Sequence, residues 1–266
     1  MMKRLRPYMT SFRIRALLET QYRGAALGGL VTQVFFGMVY VCLYTALYAG
    51  NDPQALRDTI TYVWLQQMFF RALFTSDSEL QNQILSGSLA YTLCRPVDQH
   101  LYWLSRNLAH QLVGSGMRAV PMLLVQLILP PELRMSLPAS PAALAQFLLS
   151  LVLGIVCVSQ VHGIMLACVM KTLDHRGLSS MISLLMMTFS GNVVPLTLFP
   201  DSLQTLIRYQ PFAQALDAPI RMYLGGPALG EWLFNLGIQL MWIAALMALG
   251  RLMWRRQLRH VTIQGG

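Results

Sequence analysis

Charge is what this sequence has least of: only 12% of its 266 residues are charged, about half the share of an ordinary soluble domain. Lysine is almost absent. Lys3 and Lys171 follow Met2 and Met170, so the G-K-[S/T] ending of a Walker A loop occurs nowhere, and the chain has no P-loop of its own to bind ATP. Catalytic constellations are absent too. There is no H-E-x-x-H, G-x-S-x-G or paired-carboxylate pattern, and His100, His110, His162, His175 and His260 are scattered. The four cysteines, Cys42, Cys94, Cys157 and Cys168, form no pair at metal-ligand spacing. Cys157 and Cys168 would share a helix about 16 Å apart, too far for a disulfide, and all four read as small packing residues. The eleven acidic residues fall in loops or near the ends of apolar stretches. That argues against a carrier driven by protons or sodium, which needs ionisable groups inside the membrane.

What is abundant is apolar residues, at 55% of the chain with a mean hydropathy of +0.48. A lipid-facing surface accommodates such a composition and a water-soluble one does not. The pattern predicts an all-α, polytopic membrane protein: one transmembrane domain over 1–266, with six spans at about 25–49, 59–75, 101–129, 142–170, 178–198 and 231–252. Asn51-Asp52-Pro53, the prolines from Pro130 to Pro141, and the charged run Lys171 to Arg176 separate spans. The second span carries Gln66, Gln67 and Arg71 and is expected to lean on protein rather than lipid. Residues 1–24 are basic, with Leu5, Tyr8, Met9 and Phe12 on one helical face, which suits an interfacial helix in the headgroup layer. No short signal peptide with a small-residue cleavage site is expected before the first span.

The net charge of +9 does not read as a nucleic-acid surface, because the arginines sit beside apolar segments. With the N-terminus inside, only Arg57, Arg134, Arg208 and Arg221 fall in outer segments, and Arg71 and Arg118 lie within the membrane. All the other basic residues are cytoplasmic. That asymmetry predicts cytoplasmic termini at both ends.

Two segments are too polar to span. Residues 77–99 lie on the cytoplasmic side. Leu80, Ile84 and Leu85 give them a short apolar face, Gly87 can end a helix and Pro96 can start another. Two readings stay open: a helix that docks in a partner's groove, or one that only joins two spans. Residues 199–230 read as two short outer helices, about 201–209 and 212–223, that dip into the outer leaflet where protein covers their ends.

These segments carry Ile84-Leu-Ser-Gly87-Ser-Leu89 with Arg95-Pro96, then Gly191 through Pro195-Leu196 to Phe199-Pro200, then Pro211-Phe212. In that order and placement they resemble the permease subunits of the type-2 ABC exporter family, in a bacterial branch. The resemblance implies an N-terminal interfacial helix, six spans, a coupling helix within 77–99 and re-entrant outer helices within 199–230. It implies a multi-pass protein of the bacterial inner (cytoplasmic) membrane, paired with a second copy or a related permease. A separate ABC ATPase subunit would hold ATP and magnesium and would touch Leu80, Ile84, Gly87, Leu89, Tyr91, Arg95 and Pro96. No cofactor, metal or nucleic acid is expected to bind the chain directly.

Inside the membrane, Phe36, Tyr40, Tyr44 and Tyr48 recur every fourth residue. The stripe either packs helices or lines a substrate path or dimer interface. Arg118 either meets an anionic substrate group or bonds backbone carbonyls freed by Pro121. Arg71 is expected to snorkel to the interface. Gln160, His162 and Asn192 are expected to bond between helices, with Asn192 also a candidate for the path. A non-transporting scaffold or sensor subunit is the alternative function.

Overall fold

The computed structural model describes residues 2–21, 23–48, 52–193, 195–196 and 199–259. Every regular element among them is a helix. The expected break at Asn51, and Val194, Thr197 and Leu198 of the outer stretch, lie outside the described residues, as do the side chains of Lys3, Arg4 and Arg23.

Local chemistry sets several of the boundaries. Helices α1 (Met2–Gln21) and α2 (Arg23–Leu47) come first. Helix α3 (Pro53–Phe74) starts where Asp52 accepts the N–H groups of Gln54 and Ala55 at 2.9 and 3.1 Å, with proline in its first position. Two short helices follow, α4 (Glu79–Leu85) and α5 (Leu89–Leu93). Between them Gly87 takes a φ of 76°, a left-handed turn that glycine adopts without strain. Asp98 caps α6 (Gln99–Ile128) through the N–H of Leu101 at 3.0 Å, and Ser140 caps α7 (Pro141–Thr172) through that of Ala143 at 3.0 Å. The remaining helices are α8 (Arg176–Phe189), α9 (Asp201–Arg208), α10 (Asp217–Gly225) and α11 (Leu229–Leu258), with a 3₁₀ turn at Ala213–Ala215.

Four helical stretches among the described residues are long and apolar enough to cross a membrane: Leu27–Leu47, Gln99–Ile128, Pro141–Thr172 and Leu229–Leu258. The second and fifth expected spans differ from these. Helix α3 is too polar, and from Thr59 to Met68 it is buried without interruption, so it leans on protein. Helix α8 is only about 21 Å long at 1.5 Å per residue, against a hydrocarbon core of about 30 Å. It ends at Phe189 rather than near 198. Gly191 turns the chain there with a φ of 84°, and the Tyr62 hydroxyl occupies the space a side chain would need.

The main core joins α2, α3, α6, α7, α8 and α10 around Trp64, Met122, Phe147 and Ile220. A second core gathers Leu80, Ile84 and Leu89 against Trp103, Leu166, Val169 and Trp254. The latter marks the proximal end, where α4 and α5 meet the last turns of α11. The distal end carries the 130–140 loop, α9 and α10. Between them the outward surface is apolar, with Val31, Phe35, Val39, Leu123, Leu127, Leu148, Val152, Leu233 and Leu240 exposed, as a lipid-facing surface would be.

Candidate functional site

At the proximal end α1 runs alongside the first half of α6 in the same direction. Tyr8 accepts the Asp98 N–H at 3.1 Å, and further along Arg15 reaches His110 at 3.0 Å. A charged cluster closes this seam. Glu19 pairs with Arg15 at 2.8 Å, Arg71 at 2.5 Å and His110 at 2.6 Å. Arg71 thus ends on Glu19 of α1, largely enclosed by protein. Its guanidinium lies over Gly114, where any side chain would collide with it. Burial by itself raises the Glu19 carboxyl. The hydrogen bond with His110 and the charges of His110, Arg71 and Arg15 outweigh that and hold it below its ordinary value.

The cluster continues into the α4 segment. Arg15 lies 3.6 Å from Asp77, and Arg106 pairs with Asp77 at 2.9 Å and closely with Glu79 at the start of α4. The Asp77 N–H donates to Asn107 at 2.8 Å, and Asn107 donates to Ser159 on α7 at 3.1 Å. Ser159 bonds Gln111, which lies 3.4 Å from His162. Polar bonds thus run from α1 and α4 through α6 into α7. Sequence reading passed over Glu19, Asp77, Arg106 and His110. Arg15 and Glu19 at i and i+4 on one helix carried a signal, but their partners lie far away in the chain.

The seven residues expected at the α4–α5 segment divide by exposure. Leu80, Ile84 and Leu89 are buried in the second core and anchor the segment to α6, α7 and α11. Gly87, Tyr91, Arg95 and Pro96 are exposed, Tyr91 at 82%, and Leu85 is exposed beside them. Arg95 donates to the Tyr102 hydroxyl at 2.7 Å.

The intramembrane candidates also separate. Phe36 faces outward, Tyr40 is half-buried and Tyr44 is buried in the main core. Tyr48, half-buried at the distal end, has its hydroxyl 3.4 Å from that of Thr59. The stripe winds from surface to core, so the four residues do not share one cavity wall. Arg118 packs across Gly29 of α2, and its buried Nε has no partner among the described residues. Asn192 is enclosed and bonded by Gln66 at 3.1 Å. Gln160 is buried without a partner among the described residues.

On the distal side the 3₁₀ turn enters the bundle. The Ala215 carbonyl would stand 2.8 Å from a Cβ at Gly154, about 20 Å along α7 from its start. Gln239 of α11 closes the packing with bonds to Ser150 Oγ at 2.9 Å and the Gln214 carbonyl at 2.8 Å. Asp217, fully buried, takes Arg221 Nε at 2.7 Å and the Tyr62 hydroxyl at 3.3 Å.

Residues 33–265 match the family model described as ABC-2 family transporter protein. The matched range begins within α2 and leaves out α1. No curated protein matches the chain.

Proposed function

We infer, since this chain belongs to the ABC-2 family of transporter proteins, that it is the permease subunit of an ATP-driven exporter. It works as a dimer, with a second copy or a related permease, and a separate ATPase subunit supplies the energy. Helices α2, α6, α7 and α11 cross the membrane, α3 crosses inside a sheath of protein, and α8 is the short fifth span. The proximal end faces the cytoplasm of a bacterial cell, and α9 to α10 form a re-entrant cap in the outer leaflet.

One observation carries this reading: the α4–α5 segment is anchored on one side and open on the other. Leu80, Ile84 and Leu89 hold it in the second core. Leu85, Tyr91, Arg95 and Pro96 stay exposed. A docked partner would grip the open side, and Arg106 with Asp77 and Glu79 would pass its movement to α6. Arg118, one turn beyond Gly114 on α6, is the residue available to an anionic group of the cargo.

The test is reconstitution with the cognate ATPase. Tyr91→Ala should lower permease-stimulated ATP hydrolysis and vesicle transport by about tenfold, as loss of one aromatic interface anchor does, with thermal stability unchanged. Wild-type transport activity with Tyr91→Ala would refute the contact. Transport by the chain alone without ATP would refute the coupled mechanism. An ATPase complex that moves nothing would favour the scaffold reading.

A further inference from the structure

A cavity of about 600 Å³ opens at the distal end between the end of α2, the start of α3, α9, α10 and the start of α11, a size that holds one small ligand. Its charges are sorted by element. Arg208 on α9 and Arg221 on α10 supply the cations, and Asp58 on α3 and Glu231 on α11 supply the anions. Arg208 makes no ion pair among the described residues. Arg221 uses Nε on Asp217, while its buried Nη2 has no partner among the described residues. Among the described residues, Asp58 accepts only the neutral Gln54 amide, at 3.0 Å, and Glu231 is exposed without an ion pair. The Tyr48 hydroxyl lies 3.4 Å from that of Thr59, whose proton goes to the Ala55 carbonyl at 2.8 Å. Leu224 and Pro227 add apolar wall.

We propose that this cavity binds a zwitterionic amphiphile. Its anionic group sits at Arg208, its ammonium lies towards Asp58 and Glu231, and its apolar part lies along Leu224 and Pro227. A ligand of one charge would satisfy one set of groups and be repelled by the other, and only a ligand carrying both charges matches both. Charge-assisted bonds to partly desolvated groups supply the affinity. The chemistry suits a phosphate–ammonium lipid headgroup or a soluble zwitterion with a short apolar tail. The site rests on the cavity alone, so it stands or falls independently of the export reading.

The experiment titrates the purified full chain, in maltoside micelles and without any ATPase, with three probes of equal tail length: hexylphosphocholine, hexyl phosphate and hexyltrimethylammonium. Native mass spectrometry reads the bound fraction. The zwitterion should bind tightest. Arg208→Gln should weaken it at least about tenfold and leave the ammonium probe binding as tightly as before or tighter, since a like charge is removed. Asp58→Asn should weaken it similarly and leave the phosphate probe binding as tightly as before or tighter. Arg57→Gln, at an exposed position on α3, should change nothing, and the thermal midpoints of all variants verify folding. Displacement of hexylphosphocholine by phosphatidylethanolamine would identify a lipid as the ligand, and retention would identify a soluble amphiphile. A zwitterion no tighter than both single-charge probes, or an Arg208→Gln variant binding all three like wild type, overturns the proposal.

Discussion

Glu19 gathers groups from three helices at one carboxylate: the guanidinium groups of Arg15 and Arg71 and the ring of His110. Removing one member of a buried pair leaves the others desolvated and uncompensated. Glu19→Gln should therefore lower stability by about 3 kcal/mol, the lower end for such pairs because the amide keeps an acceptor, read as a lower thermal midpoint. The pH dependence has a definite sign. The folded carboxyl titrates below its ordinary value of 4.5, so below that pH the unfolded chain binds more protons than the folded one. The stabilisation is complete above 4.5 and fades as pH falls through the folded value. An unfolding series at pH 3 to 7 should show wild type losing more stability at the acid end than Glu19→Gln. Equal slopes would remove Glu19 from the account.

Close backbone approach at Gly154 helps to set how the distal elements fit. The 3₁₀ turn reaches α7 because Gly154 leaves room for the Ala215 carbonyl, and Gln239 then binds the carbonyl of Gln214. Gly154→Ala places a methyl where the nearest atom is backbone, at 2.8 Å, and backbone cannot swing aside as a side-chain end can. Overpacking of this kind costs about 1–3 kcal/mol, so the thermal midpoint should drop while helix content by circular dichroism stays constant. A midpoint equal to wild type would mean the turn does not sit there. At the proximal end the same logic of fixed elements makes α4 and α5 a unit, since apolar anchors hold the side that faces the bundle.

The whole molecule has an apolar girdle and two chemically different ends. Its orientation is testable with its own thiols. Cys94 is exposed beside α5, whereas Cys42 is exposed on α2, Cys157 is buried and Cys168 is half-buried. With the other three replaced by alanine, a membrane-impermeant maleimide should label Cys94 in inside-out vesicles and not in right-side-out ones. Labelling from the opposite face would invert the topology inferred from the arginine asymmetry.

Composition and periodicity were enough to determine an all-helical membrane protein, its polar segments at 77–99 and 199–230, and the unsuitability of the second span for lipid. Those properties follow from transfer of side chains between water and hydrocarbon, which depends on local sequence. The polar bonds around Glu19 and Asp77, the inward turn of Leu80, Ile84 and Leu89, and the sorted charges of the distal cavity were decided only by tertiary structure. Arg15 meets His110, Arg106 meets Asp77, and Tyr62 meets Asp217 across long stretches of chain. Whether a polar side chain in a bundle faces lipid, water or a partner depends on helix rotation, and helix rotation is set by the packing of every neighbour at once.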